Sequence, residues 1–168
     1  MKEERIKNIL KMCVVVAENS KCTRRKFGAV LTNQDGVQLS GGYNGSVRGS
    51  LNCGDEIACL KDKKNEASYQ SYNYCPAVHA EVNAILNAAR IGVSVVGSIL
   101  FLNSSPVGSR SDMGCERPCL GCRRVIINSG VKEIYFVDKE GTIIHELISS
   151  WIPMENRWME NVTLPWGK

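Results

Sequence analysis

His79 and Glu81, followed by Pro118-Cys119-Leu120-Gly121-Cys122, are the residues of this chain whose types and spacing suit chemistry. One imidazole and two thiolates fill three positions of a zinc ion, and a catalytic zinc keeps its fourth position for water. Two thiolates neutralise the ion's charge and weaken its hold on the water's proton, so a nearby base is needed. Glu81 is a carboxylate outside the ligand set, suited to that proton transfer. The chemistry indicated is hydrolysis by an activated water, with Glu81 as general acid and base.

Those residues must be positioned by particular elements. Residues two apart point to different sides of a regular helix, so His79 and Glu81 converge only near a helix start. Cys119 and Cys122 share one face of a first turn, where unpaired N–H groups and the helix dipole favour anionic sulfur. Pro118 is acceptable there because it has no N–H to lose. Each half has a bland alternative. His-x-Glu alone is an ordinary helix start, and Cys-x-x-Cys alone is equally a structural zinc knuckle or a redox pair. In this order they match the H-x-E and P-C-x-x-C pattern of zinc nucleobase deaminases, which is recognition and not derivation.

The rest of the chain reads as alternating elements. Residues 3 to 19 place Ile6, Ile9, Leu10, Cys13, Val14 and Ala17 on a helical stripe, with Cys13 a small core residue. Phe27 to Thr32 and Val37 to Tyr43 flank Asn33-Gln34-Asp35-Gly36 and read as a hairpin. A polar stretch rich in Cys and Gly runs from Asn44 to Cys75, and a loop of that length needs a function or a metal to order it. Val78 to Arg90 is predicted as a helix on Val82, Ile85, Leu86 and Ala89, Val95 to Leu102 as a strand, Cys119 to Ser129 as a helix, and Glu133 to Val137 as a strand. This order predicts crossovers and parallel pairing beyond the hairpin, in a mixed sheet covered by helices on both faces.

The 168 residues suit one domain, here 1–168, with a core at about 10–138, the loop 44–75, an insertion 107–117 and a tail 139–168. The formal charge of +4 is mild. The densest basic cluster, Arg24-Arg25-Lys26, is too short for a polynucleotide tract and meets a small anion or solvent. A charged start and no apolar stretch of membrane length predict neither a signal peptide nor a spanning helix, hence a soluble, cytoplasmic protein. Its eight cysteines then read as reduced thiols, several of them on metal.

The chain resembles the deoxycytidylate (dCMP) deaminases of the cytidine deaminase superfamily over roughly residues 10 to 138. The stretches that carry the resemblance are Ser20-Lys21-Cys22-Thr23-Arg24-Arg25, Phe27-Gly28-Ala29-Val30, Gly42-Tyr43-Asn44-Gly45, His79-Ala80-Glu81-Val82-Asn83-Ala84-Ile85 and Ile126-Ile127-Asn128-Ser129-Gly130-Val131. The Gly-Tyr-Asn-Gly element lies outside the general zinc motif. The resemblance implies a three-layer α-β-α sandwich with a mixed five-stranded sheet. It also implies conversion of dCMP to dUMP and ammonia, which supplies dUMP for thymidylate synthesis. Glu81 moves a proton from water to ring nitrogen N3 and then separately protonates the leaving amino group.

By the same resemblance Arg90, eleven residues after His79, matches an arginine that binds the substrate phosphate, a task suited to a guanidinium fork. A solvated helix-end arginine is the alternative. Asn44 is the sugar contact, against a plain turn asparagine, and backbone at Ala80 and Ser104 holds the base. Tyr135 and Phe136 are candidates for stacking, though aromatics in a central strand are usually core. Cys22, Cys53, Cys59 and Cys75 match a second, structural zinc found in part of the family, a closed four-ligand shell. Partial sets with an outside ligand, and free thiols, remain alternatives.

Two stretches depart from the family. The insertion Val107 to Arg117 separates Ser104-Ser105-Pro106 from Pro118 and contains Cys115, read as a bystander in a lid-like segment. The tail beyond Asp138 carries Trp151, Trp158 and Trp166, which mark an interface or pack back on the domain. The resemblance further implies a homohexamer activated by dCTP, inhibited by dTTP and using magnesium with the effector, which binds at Gly42, Tyr43, Asn44 and Gly45. Three other readings stay open: a deaminase of single-stranded polynucleotides, which needs a basic aromatic groove, a non-catalytic zinc module, and a nucleoside deaminase without need of Arg90.

Overall fold

The structure, a computed structural model, describes residues 1–64, 75–107 and 117–161. Helix α1, Glu3–Glu18, buries Ile6, Ile9, Leu10, Cys13 and Ala17, while Val14 is only half-buried. Strands β1, Lys26–Thr32, and β2, Gln38–Tyr43, form the expected antiparallel hairpin, with a register shift at Leu31/Thr32. After β2 come a two-residue strand β3, Gly45–Ser46, a short helix α2, Leu60–Lys64, and β4, Ala77–Val78, which pairs with β3. Then follow α3 (Ala80–Arg90), β5 (Ile99–Ser105), α4 (Leu120–Asn128), β6 (Glu133–Val137), β7 (Ile143–Leu147), a 3-10 turn at Ile148–Trp151 and α5 (Ile152–Asn161).

The five longer strands make one mixed sheet in the order β2-β1-β5-β6-β7. Alternation of side chains sorts this sheet into two cores. Val30, Ile99 and Phe101 face α1, and Ala29, Leu31, Leu100, Leu102, Ile134 and Phe136 face the layer of α3 and α4. Strand β5 is buried along its whole length because both faces are covered, which its unbroken apolar run Ile99-Leu100-Phe101-Leu102 foreshadows. The result is the expected three-layer α/β sandwich.

Several expectations are corrected. Among the described strands only β5 and β6 pair in parallel, and β5 runs antiparallel to β1. Because β1 is antiparallel to both β2 and β5, the connection through α3 does join parallel strands, but β1 lies between them; hydropathy reports direction and burial, not adjacency. The fifth strand, β7, comes from the tail and closes on β6. The helix expected from Val78 starts at Ala80, and the strand expected at Val95 starts at Ile99. The buried face of α3 is Ala80, Ala84, Ile85 and Ala88, whereas Leu86 is half exposed.

That choice of face has a steric cause. A Cβ on Gly42 would lie 2.3 Å from the Ala84 nitrogen, so α3 rests its alanines directly on β2. On the opposite face, a Cβ on Gly28 would lie 2.0 Å from the Cys13 carbonyl oxygen, so α1 approaches β1 equally closely. Small residues at both contacts allow backbone-to-backbone approach that leucines would block. Hydrogen bonds from Ser40 to Ala84 O (2.7 Å), Asn87 to Gly41 O (2.7 Å) and Asn83 to Tyr43 O (2.7 Å) then fix α3 along β2.

Candidate active site

His79 is the N-cap residue of α3 and Cys119 that of α4, and both have extended backbone there. The close seating of α3 on β2, and of α4 beside it, brings the two helix starts together at one end of the sheet. His79 Nδ1 lies 3.5 Å from Cys119 Sγ and 3.3 Å from Cys122 Sγ. The ligand atoms of these three residues all fall within 4.8 Å of one another, the only such group of three among the described residues. Zinc bonds of about 2.3 Å to sulfur and 2.0–2.1 Å to nitrogen in tetrahedral geometry require N···S separations of about 3.6 Å. The donors therefore fit zinc in type, number and spacing.

The electrostatics ask for a cation as well. Glu81 is 5% exposed, and burial raises its carboxyl above the usual range, helped by nearby Cys119. The Cys122 thiol is raised by its hydrogen bond with Cys119, by burial and by the Glu81 charge. His79 is pushed up chiefly by its hydrogen bond with Cys119, against burial. Three acids crowded beside one imidazole repel each other as anions. A divalent ion among them reverses that repulsion and deprotonates the thiols.

His79, Ala80, Glu81 and Cys119 form one wall of a cavity of about 590 Å³. Phe27, Asn44 and Leu102 supply its inner surface, and Lys21, Arg24, Arg25, Lys61 and Arg117 bring positive charge to it. Three of those cations pair with carboxylates: Arg24 with Asp62 at 2.8 Å, Lys21 with Asp55 at 3.1 Å, and Arg117 with Glu146. Within the basic cluster, Arg24 meets a carboxylate, Arg24 and Arg25 line the cavity, and Lys26 donates to the Glu18 carbonyl oxygen.

Other expected site residues fall differently. Asn44 lines the cavity, yet its side chain also holds the start of β1: Oδ1 accepts from the Phe27 N–H at 2.7 Å and Nδ2 donates to Arg25 O at 2.9 Å. Gly42 is committed to packing against α3, while Gly45 reaches the cavity and Tyr43 is 42% exposed. Ser104 is buried in β5 and does not line the cavity; Leu102 does. Arg90 is exposed at the far end of α3, about 13 Å along the helix from Glu81 at 1.5 Å per residue, and is not a lining residue. Tyr135 stacks between Phe101 and His145, and Phe136 is core, so neither meets the cavity.

Cys22, Cys53, Cys59 and Cys75 all border the cavity, and burial, followed by the other three thiols, raises Cys53. No disulfide joins the seven described cysteines. Cys115 and Met113 lie outside the described residues, as does Trp166. Sequence reading missed Glu146 and Arg117, which pair beside the Cys119 loop. No signal could have found them, because a glutamate in an unassigned tail is indistinguishable from a solvated one.

Comparison with known proteins follows the same lines. Residues 3–138 match the model of the cytidine and deoxycytidylate deaminase zinc-binding region. The chain is 30% identical over 125 residues to the ComE operon protein 2 of Bacillus subtilis (strain 168), a match covering 74% of this chain and 54% of that protein. It thus spans about half the length of that relative. The deoxycytidylate deaminase of Enterobacteria phage T4 is 28% identical over 159 residues, covering 77% of this chain and 76% of the phage enzyme. Among solved structures, the dCMP deaminase of cyanophage S-TIM5 in complex with dCMP and dUMP superposes with a TM-score of 0.59 at 27% identity, over 80% of this chain and 81% of that one. No described helix is long and apolar enough to cross a membrane.

Proposed function

The chain belongs to the cytidine and deoxycytidylate deaminase family with its zinc-binding region, and on that footing we propose that it hydrolyses dCMP to dUMP and ammonia, supplying dUMP for thymidylate synthesis in the cytoplasm. The observation that carries this reading is the buried carboxyl of Glu81 beside the His79, Cys119 and Cys122 donors, on one wall of an open cavity. Likeness to a phage enzyme and to a structure holding dCMP and dUMP supplies the substrate.

A zinc ion held by His79, Cys119 and Cys122 supplies Lewis-acid activation of water at this site. Glu81 does the proton work: it takes one proton from the attacking water and gives it to ring nitrogen N3, then takes the second from the hydroxyl now on the ring carbon and passes it to the departing amino group as the carbonyl forms. Burial raises the Glu81 carboxyl above its ordinary range, which makes it a better proton acceptor than a solvated glutamate. Backbone at Ala80, on the cavity wall, holds the base; the contact expected at Ser104 rests on resemblance alone, because Ser104 does not line the cavity. Asn44 keeps one amide N–H and one lone pair beyond its two backbone bonds, and these serve the sugar. Arg90 is assigned to the substrate phosphate on resemblance alone, since it lies at the exposed end of α3 and off the cavity lining. The whole of 1–168 then works as one deaminase domain.

The finer reading rests on resemblance alone: a homohexamer, activated by dCTP with Mg2+ and inhibited by dTTP, with the effector at Gly42, Tyr43, Asn44 and Gly45. A second zinc on Cys22, Cys53, Cys59 and Cys75 draws support from all four bordering the cavity, although no three of their sulfurs lie within 4.8 Å of one another. Zinc analysis returning two ions per chain supports it, and one ion removes it.

The deciding experiment follows loss of ultraviolet absorbance with dCMP, dCTP, deoxycytidine and single-stranded DNA in parallel. Turnover of dCMP well above the rest is expected. Reaction of DNA or deoxycytidine alone keeps the zinc chemistry and removes the phosphate assignment, and no reaction in zinc-replete protein makes the chain a binding module.

A further inference from the structure

Beyond the family-matched residues, the tail reaches back to the loop that carries both thiols. Glu146 on β7 accepts from Arg117 in a forked ion pair, with Arg117 Nε 3.0 Å from both carboxylate oxygens and its Nη2 closer still. The carboxylate is itself anchored, because the indole N–H of fully buried Trp151 donates to its Oε2 at 2.6 Å. Arg117 also lays Nη1 against Met154 Sδ at 3.8 Å. Only Pro118, a buried residue with a restricted backbone, separates Arg117 from Cys119.

The same tail grips α4 itself. Glu155 on α5 lies between Arg123 and Arg124, at 3.8 and 3.1 Å, and Arg124 stands 4.7 Å over the Trp158 ring. These arginines follow Cys122 directly. Both ends of the Cys119–Cys122 turn are therefore tied to β7 and α5, neither of which contributes a metal donor.

We propose that Glu146 is a positioning residue for the metal centre, holding Arg117 and through it the two thiolates at their distance from His79. Bidentate pairing limits both distance and plane, which a lysine or a single hydrogen bond would not. A side chain beyond the ligands is known to matter for metal sites when it orients them. This inference rests on metal retention and stands whichever substrate the enzyme takes.

The test uses the full chain and metal alone. E146Q, R117Q and the double variant are titrated with zinc against a chromophoric chelator, and their cobalt(II)-loaded forms are recorded for thiolate-to-metal absorption. Each single variant should lose about tenfold or more in zinc affinity and show an altered cobalt spectrum, and the double should match the singles. Affinity within twofold of the parent, an unchanged cobalt spectrum at full loading, or losses that multiply in the double would each overturn the proposal. Should E146Q fail to fold, R117Q decides alone, since its side chain is 41% exposed.

Discussion

Cys122 Sγ lies 3.3 Å from His79 Nδ1 although 43 residues separate them. The contact exists because two helix starts meet at the same end of the sheet, and each start leaves its cap residue extended and its first turn aimed at the other. Glu81 lies two residues after His79, in the first turn of α3, where the same packing that buries α3 raises its carboxyl.

Glu81→Gln keeps the shape of the side chain and removes its proton chemistry. Zinc content and melting temperature should stay at parental values while turnover falls by about 10²–10⁴-fold. Retained turnover in zinc-loaded protein would show that another group moves the protons.

Removing the metal should destabilise the protein, because the buried Glu81 and Cys122 and the half-buried Cys119 lose the cation that reconciles them. Restoring zinc at a thousandfold excess over its dissociation constant should raise stability by about 4 kcal/mol. Thermal melts of chelated and reloaded protein measure this, and Cys122→Ala should lose most of the response.

Gly42→Ala puts a methyl group 2.3 Å from the Ala84 nitrogen. Since both partners are backbone, α3 must lift from β2, at a cost of about 3 kcal/mol. Denaturant titration should show that loss, and activity should fall with it, because α3 carries His79 and Glu81. An unchanged midpoint would mean that the helix can shift freely.

Asn44→Ala and Asn44→Asp separate architecture from recognition. The alanine variant strands the Phe27 N–H and Arg25 carbonyl and should cost about 1–3 kcal/mol. The aspartate keeps the acceptor for Phe27 and should recover part of that stability, while KM for dCMP rises if the remaining amide N–H serves the sugar. Equal KM values in parent and aspartate variant would leave Asn44 a structural residue.

Trp151→Ala should cost about 3–5 kcal/mol, since the ring is fully buried and its N–H anchors Glu146. A urea midpoint close to that of the parent would show that the tail adds little to the core.

The cluster of metal donors in this protein was legible because it depends on residue types at short spacing. His79 with Glu81, and Cys119 with Cys122, each announce a helix start, and zinc's preference for nitrogen and sulfur donors does the rest. Strands β1, β2 and β6 were legible because alternation and turn residues are local signals. Helix α3 shows the limit: its apolar residues suggested a face with Leu86, yet the seat on Gly42 selects the alanines, a preference that belongs to the partner surface.

What tertiary structure alone decided are relationships across long separations. Placement of β1 between β2 and β5, the recruitment of β7, the distance of Arg90 from the cavity and the grip of Glu146 on Arg117 have no local signature. Periodicity encodes which side of an element is buried, and motif spacing encodes which atoms can share a metal. Neither encodes which element lies beside which, because that is settled by shape and charge complementarity between surfaces that meet only when the chain has folded.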